Sequence, residues 1–325
     1  MQRELIRRAA ELLENGTVNR VLGWQKGQFV YDITPAVFTS AEELEKDFVY
    51  NDFCADNLSK YLIKESEKEG KILAFLKPCD TYSFNQLLTE HKIQREHVYV
   101  IGVESYGKAD IAKLRKRGID GITSVENENG TLKVHTIYGD ESVPLYEVML
   151  DRCLTCKSKK HVVFDELIGE DGDVVEDSGR FDMVEKIEAM TAEERFRFWR
   201  GELSRCIRCN ACRNVCPACT CENCVFDNPA SGIQNRAARD DFEENLFHII
   251  RAYHVAGRCT DCGECSRVCP EHIPLHLLNR KFIKDFNTLY GEFQAGAEEG
   301  QMSPMCAFTE NGDAEPSVVQ KGGAE

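Results

Sequence analysis

Sixteen cysteines stand in a chain of 325 residues, and their spacing is its most informative chemistry. Arg205–Pro217 and Arg258–Pro270 both read R-C-x2-C-x2-C-x3-C-P. Three closely spaced thiolates can wrap one face of a cubane iron–sulfur cluster, while the cysteine before proline is carried toward a neighbouring cluster. The spacing assigns Cys206, Cys209, Cys212 and Cys269 to one 4Fe-4S cluster, and Cys259, Cys262, Cys265 and Cys216 to a second. Zinc knuckles are the competing reading, but zinc sites use two separated C-x2-C pairs rather than triplets followed by C-P.

Cysteines could also mean disulfides, so the compartment matters. Met1–Asn15 is charged and lacks the apolar h-region of a secretory signal. No stretch of ~18 apolar residues occurs, so no membrane-spanning helix is expected. We therefore expect a cytoplasmic protein whose thiols stay reduced and serve as metal or redox ligands. Lys and Arg total 40 against 55 Asp and Glu, a net charge of −15. That acidity argues against nucleic acid or an anionic membrane as partner and suits docking on other redox proteins.

The elements that must position the cysteines divide the chain. Residues 1–160 read as an α/β domain with an open, partly parallel sheet. Residues 3–14 have helical periodicity ending at Asn15-Gly16. Val18–Trp24 and Phe29–Ile33 read as strands, and Ser40–Glu43 is a capping box. Cys54, Leu58, Tyr61 and Leu62 share one face of a predicted helix. Lys71–Leu76 and His97–Val103 are buried-strand patterns flanking the turn Lys77-Pro-Cys-Asp80 and a helix over residues 81–90. This unit predicts parallel pairing with a right-handed crossover. Cys79 then sits just past the carboxyl end of a strand, where open α/β sheets place ligands. Lys77 reads as a solvated strand end.

Residues 161–200 are an acidic connector and a helix opened by a second capping box, Thr191–Glu194. Residues 201–290 form a mainly helical domain holding both cysteine runs, and residues 291–325 a flexible tail. Between the runs, Phe242, Leu246, Ile249, Ile250 and Tyr253 recur at helical spacing, which predicts a helix with that face toward the core. With this insertion the domain resembles the bis-4Fe-4S alpha-helical ferredoxin domains of heterodisulfide reductase-like and succinate dehydrogenase iron–sulfur subunits. His272 and His276 have metal-pair spacing, but Pro274 lies between them, and they read as a cap or as cluster neighbours.

Cys54, Cys79, Cys153 and Cys156 are enough thiols for a third cubane, with buried structural thiols as the competing reading. Asn51–Leu58, Lys77–Asp80, Cys153–Cys156 and Asp165–Gly169 together resemble the β subunit family of coenzyme F-420 hydrogenases and dehydrogenases. The likeness spans about residues 1–170. It implies a cubane and a flavin, FAD, beside a deazaflavin site. The family's strand-end turn is usually Pro-Cys-Gln where this chain has Pro78-Cys79-Asp80, and no glycine-rich phosphate cradle is read in the sequence.

Cys219, Cys221 and Cys224, with Cys306 in the tail, remain. They could build a fourth 4Fe-4S cluster; the competing readings are thiols beside the first run or a site completed by a partner. The stretch Cys216–Cys221 also resembles the iron–sulfur subunits of anaerobic sulfite reductases. We expect an iron–sulfur electron-transfer protein within an anaerobic multi-subunit oxidoreductase (hydrogenase, formate dehydrogenase or heterodisulfide reductase-like). It would relay electrons between a flavoprotein or catalytic partner and an acceptor. The alternative is a flavin-containing, hydride-transferring subunit with its own F-420 or NAD(P)H site in the N-terminal domain. No catalytic acid, base or nucleophile stands out for it.

Overall fold

The computed structural model describes residues 1–157, 159–173, 178–228, 230 and 241–306. It divides into two compact units: Met1–Phe84 with Ile93–Arg180, and Asn85–Lys92 with the residues from Phe181 onward.

The first unit contains strands β1 (Arg20–Lys26), β2 (Ile33–Phe38), β3 (Ile72–Leu76), β4 (Val98–Val103), β5 (Ile122–Glu128), β6 (Thr131–Thr136), β7 (Gly139–Pro144) and β8 (Glu166–Ile168). Five of them form a sheet in the order β2-β1-β3-β4-β8. Pairing is parallel from β1 through β8, and β2 is the antiparallel edge. Every residue of β3 is fully buried, which is why its sequence is an unbroken apolar run rather than an alternation. Helix α1 (Gln2–Glu14) turns Leu5, Ile6, Ala9 and Leu12 inward. Helices α2 (Ala41–Asp47), α3 (Leu62–Glu65) and α4 (Pro78–Thr89) follow, then α5 (Ile111–Lys116). The order β3–α4–β4 with parallel pairing is the unit expected from sequence. Strands β5, β6 and β7 make a separate antiparallel sheet. Two one-turn helices, α6 (Leu145–Val148) and α7 (Asp151–Leu154), close the segment that carries Cys153.

Three local expectations are corrected. Residues 29–32 are a loop rather than a strand. Asp32 holds it by accepting the Gln28 N–H on its carboxylate at 3.2 Å and the Gly27 N–H on its carbonyl at 2.6 Å. Cys54 does not open a helix but lies in the irregular stretch before Ser59–Tyr61. Asn51 Oδ1 takes the Phe53 N–H at 2.8 Å and Asn57 Oδ1 takes the Ser59 N–H at 3.0 Å. These side chains compete with the helical ladder for the same donors. Lys77 is not a solvated strand end: it is 1 % exposed.

The second unit is helical: α8 (Asp182–Glu188), α9 (Ala192–Leu203), α10 (Ala211–Asn214), α11 (Asp241–His254), α12 (Glu264–Arg267) and α13 (His276–Tyr290). The capping box at Thr191 forms in both directions. Thr191 Oγ1 accepts the Glu194 N–H at 3.3 Å, and the Glu194 carboxylate accepts the Thr191 N–H at 2.9 Å. Helix α11 is present where the periodicity placed it, but turned. Ile249 and Tyr253 are exposed, and the buried face carries Glu244, Phe247, His248, Arg251 and Ala252. The Phe242 side chain lies outside the described residues. Beyond α13, at the start of the expected flexible tail, Phe293, Ala295 and Ser303 are buried.

Candidate metal centres

The two cysteine runs fold alike. Arg208 (φ 55°) and Asn210 (φ 62°) flank Cys209, and Asp261 (φ 59°) and Gly263 (φ 66°) flank Cys262. Left-handed residues on both sides of the middle cysteine turn successive N–H groups into an anion-binding concavity. Three of the four are not glycine, at a cost of about 1–2 kcal/mol each. Arg208 N–H donates to Cys206 Sγ at 3.4 Å, and the N–H groups of Asp261 and Glu264 reach Cys259 and Cys262. The one-turn helices α10 and α12 then present Cys212 and Cys265 and pack against each other.

Each run places its fourth cysteine among the first three of the other. Cys206, Cys209 and Cys212 line a small cleft together with Cys269. Cys216 packs in a cluster with Cys259 and lies in the field of Cys262. Burial dominates the protonation of these thiols: it pushes Cys206 up to about 12 and Cys265 to about 11. Thiolates in such a site form with metal binding, which releases their protons.

Helices α11 and α13 supply polar partners that the sequence reading missed. His248 Nε2 lies 3.2 Å from Cys206 Sγ. The ligating atoms of Cys206, Glu244 and His248 all fall within 4.8 Å of one another. Burial, with Arg251 and Arg208 nearby, pushes the His248 imidazole down to about 3, so it is neutral. Asn279 Nδ2 approaches Cys265 Sγ at 3.8 Å, and Arg280 pairs with Asp261 at 2.8 Å with both side chains buried. The available signal was Glu244, His248 and Arg251 recurring at helical spacing among apolar residues.

In the first unit, cations link the N-terminal cysteine segments, two of them buried. Lys77, two residues before Cys79, donates to the Asp56 carbonyl at 2.6 Å and pairs with Asp80 at 2.8 Å. Arg152, one before Cys153, donates to the Ala55 carbonyl at 2.5 Å. Lys108 donates to the Asn51 carbonyl at 3.0 Å. Three cations thus converge on the loop around Cys54, whose Sγ accepts the Asn51 N–H at 3.3 Å. Burial pushes the Cys54 thiol up to about 11, with Lys108, the Asn51 N–H and Lys77 pulling it down. Burial and then Asp80 push the Cys79 thiol up, while Lys77 and Arg152 oppose them, and Cys156 is close enough to act on it. A Cβ on Gly107 would lie 3.6 Å from Cys153 Cβ and 2.6 Å from Met149 Cε, so glycine keeps that wall clear. Lys77 and Lys108 are buried and Arg152 is partly so, and cations so placed suit an anionic group.

The other cysteines are dispersed. Cys219 packs against the cluster of Cys216, Ala218 and Val255, Cys224 against the one holding Cys212, Cys265 and Cys269, and Cys221 and Cys306 are exposed. Ser266 Oγ accepts the His276 N–H at 2.9 Å at the start of α13, and His276 Nδ1 lies 2.8 Å from the same oxygen. His272 is exposed.

Residues 202–273 match the family model of the 4Fe-4S dicluster domain. The chain is therefore an iron–sulfur protein, an α/β region joined to a helical region that holds two 4Fe-4S clusters. It is 26% identical to the F420-dependent formate dehydrogenase subunit beta of Methanocaldococcus jannaschii, over 86% of this chain and 88% of that protein. It is 25% identical to the F420-dependent formate dehydrogenase 1 subunit beta of Methanococcus maripaludis, over 75% of this chain and 78% of that one. A chain of the F420-reducing [NiFe] hydrogenase complex from Methanosarcina barkeri covers 62% of this chain, with a TM-score of 0.39 and 13% identity. The protein is an iron–sulfur protein of electron-transfer type, similar over most of its length to those formate dehydrogenase β subunits. No helix among the described residues is long and apolar enough to cross a membrane.

Proposed function

We propose that this chain relays electrons within a cytoplasmic formate dehydrogenase- or hydrogenase-type complex, through two clusters in its helical unit and a third in its α/β unit. Cys206, Cys209, Cys212 and Cys269 hold one cluster, Cys259, Cys262, Cys265 and Cys216 the second, and Cys54, Cys79, Cys153 and Cys156 the third. The observation that carries the reading is the shared cleft of Cys206, Cys209, Cys212 and Cys269, where two distant runs meet. Buried Lys77 and Lys108, with partly buried Arg152, support the third cluster, since a thiolate-bound cubane needs compensating charge. The partner is a redox subunit that brings electrons from a flavin or a catalytic metal. The test is anaerobic purification of the full chain with iron, sulfide and flavin counts and low-temperature EPR. About twelve irons with no flavin is the expected result. About eight irons would remove the third cluster. Stoichiometric FAD, with hydride-acceptor activity of the isolated chain, would instead establish a flavoprotein with its own active site.

A further inference from the structure

Arg251 is 3 % exposed, on the inward face of α11, in the interior that also holds the two cysteine runs. Its Nε and Nη1 are buried and have no hydrogen-bond partner among the described residues. The groups that most favour its charge are the thiols of Cys265, Cys212, Cys216 and Cys219, in that order, ahead of any carboxylate. Its guanidinium in turn pulls the Cys265 thiol down against burial. Cys212 belongs to one crossed set of four, and Cys265 and Cys216 belong to the other. A buried guanidinium is permanently charged, and a buried charge persists only where something compensates it. Neutral thiols do not; thiolate-bound clusters on both sides do.

We infer that Arg251 is a counter-cation shared by the two clusters of the helical unit, donating to cluster sulfur and raising the reduction potential of both. The inference rests on the ligand assignment proposed above. A cluster gains negative charge on reduction, so a fixed cation beside it favours the reduced form. One cation between two clusters also offsets their mutual repulsion when both are reduced. Arg251 is thus a positioning residue for charge rather than a ligand.

The test is an EPR-monitored redox titration of the full chain, purified anaerobically, as wild type and as Arg251→Met, Arg251→Gln and Arg251→Lys. Iron content is measured on each sample. In the two neutral variants both helical-unit potentials shift to more negative values, and in Arg251→Lys they return toward wild type. A neutral variant that leaves either potential in place overturns the inference, as does a lysine variant as low as the methionine one. Loading of clusters by Arg251→Lys but by neither neutral variant supports the same charge requirement. Failure of all three to load reduces Arg251 to packing and overturns it. Wild-type chain without these two clusters would instead overturn the ligand assignment, so the two failures are distinct.

Discussion

The neutral imidazole of His248 sits with Nε2 3.2 Å from Cys206 Sγ, so a residue of the helix between the two runs reaches a cysteine of the first. Hydrogen bonds to ligand sulfur stabilise the more negative, reduced state. Replacing His248 with Phe should lower the potential of the Cys206 cluster and leave the other in place. A differential of about 1 kcal/mol corresponds to ~40 mV for a one-electron couple. Potentiometric EPR that finds no shift, or equal shifts in both clusters, rejects this bond as a tuning element.

Cys79 and the Cys219–Cys224 trio make opposite predictions for iron content. Cys79→Ser should lose about four irons and one EPR signal while the paired clusters survive. Serine at Cys219, Cys221 and Cys224 together should leave iron content unchanged, because these thiols pack in different places or face solvent. Loss of about four irons in that triple variant would reveal a fourth cluster.

Lys77 and Asp80 form a buried pair at 2.8 Å, and burial disfavours the Lys77 charge that Asp80 sustains. Lys77→Met leaves the Asp80 charge buried without its cation and removes the donor to the Asp56 carbonyl. The expected cost is about 3–5 kcal/mol, read as a lower urea midpoint for the first unit. Adding Asp80→Asn should recover part of the loss. An unchanged midpoint for Lys77→Met would show that the pair is dispensable to the fold.

Glu166 on β8 accepts from Arg8 Nε at 2.8 Å and also from the Tyr99 hydroxyl. The Arg8 bond holds its carboxyl below the usual carboxylate range, against some desolvation and with help from Tyr99. A folded pKa below the unfolded value gives stabilisation that is complete above the unfolded pKa of ~4.5 and lost as pH falls through the folded value. Glu166→Gln should cost about 0.5–1 kcal/mol at neutral pH and progressively less as the pH falls below ~4.5. Urea unfolding of the first unit, followed by Trp24 fluorescence in a Trp199→Phe background, reads the difference. A gap that does not narrow with acid contradicts this pairing.

Much of the fold was legible where local chemistry dominates. The fully buried strand β3, the parallel partner β4 and the Thr191 capping box follow from residues that act on near neighbours. Periodicity alone sets Cys54 on a helix, but Asn51 and Asn57 divert the backbone donors that such a pattern assumes are free. Sequence alone sets Lys77 in solvent, because a lysine's partners are not marked in the sequence. Asp80 is only three residues on, but the carbonyl of Asp56 is twenty-one residues away.

The sequence by itself determined the two C-x2-C-x2-C-x3-C-P runs, because three thiolates per run meet by local turn geometry. Tertiary structure decided which groups surround them. Helix α11 shows why: hydrophobic periodicity locates a face only when the core is apolar, and here the helix faces cysteines that bind an anionic cofactor. Its buried face therefore carries Glu244, His248 and Arg251 beside Phe247 and Ala252, while Ile249 and Tyr253 face outward.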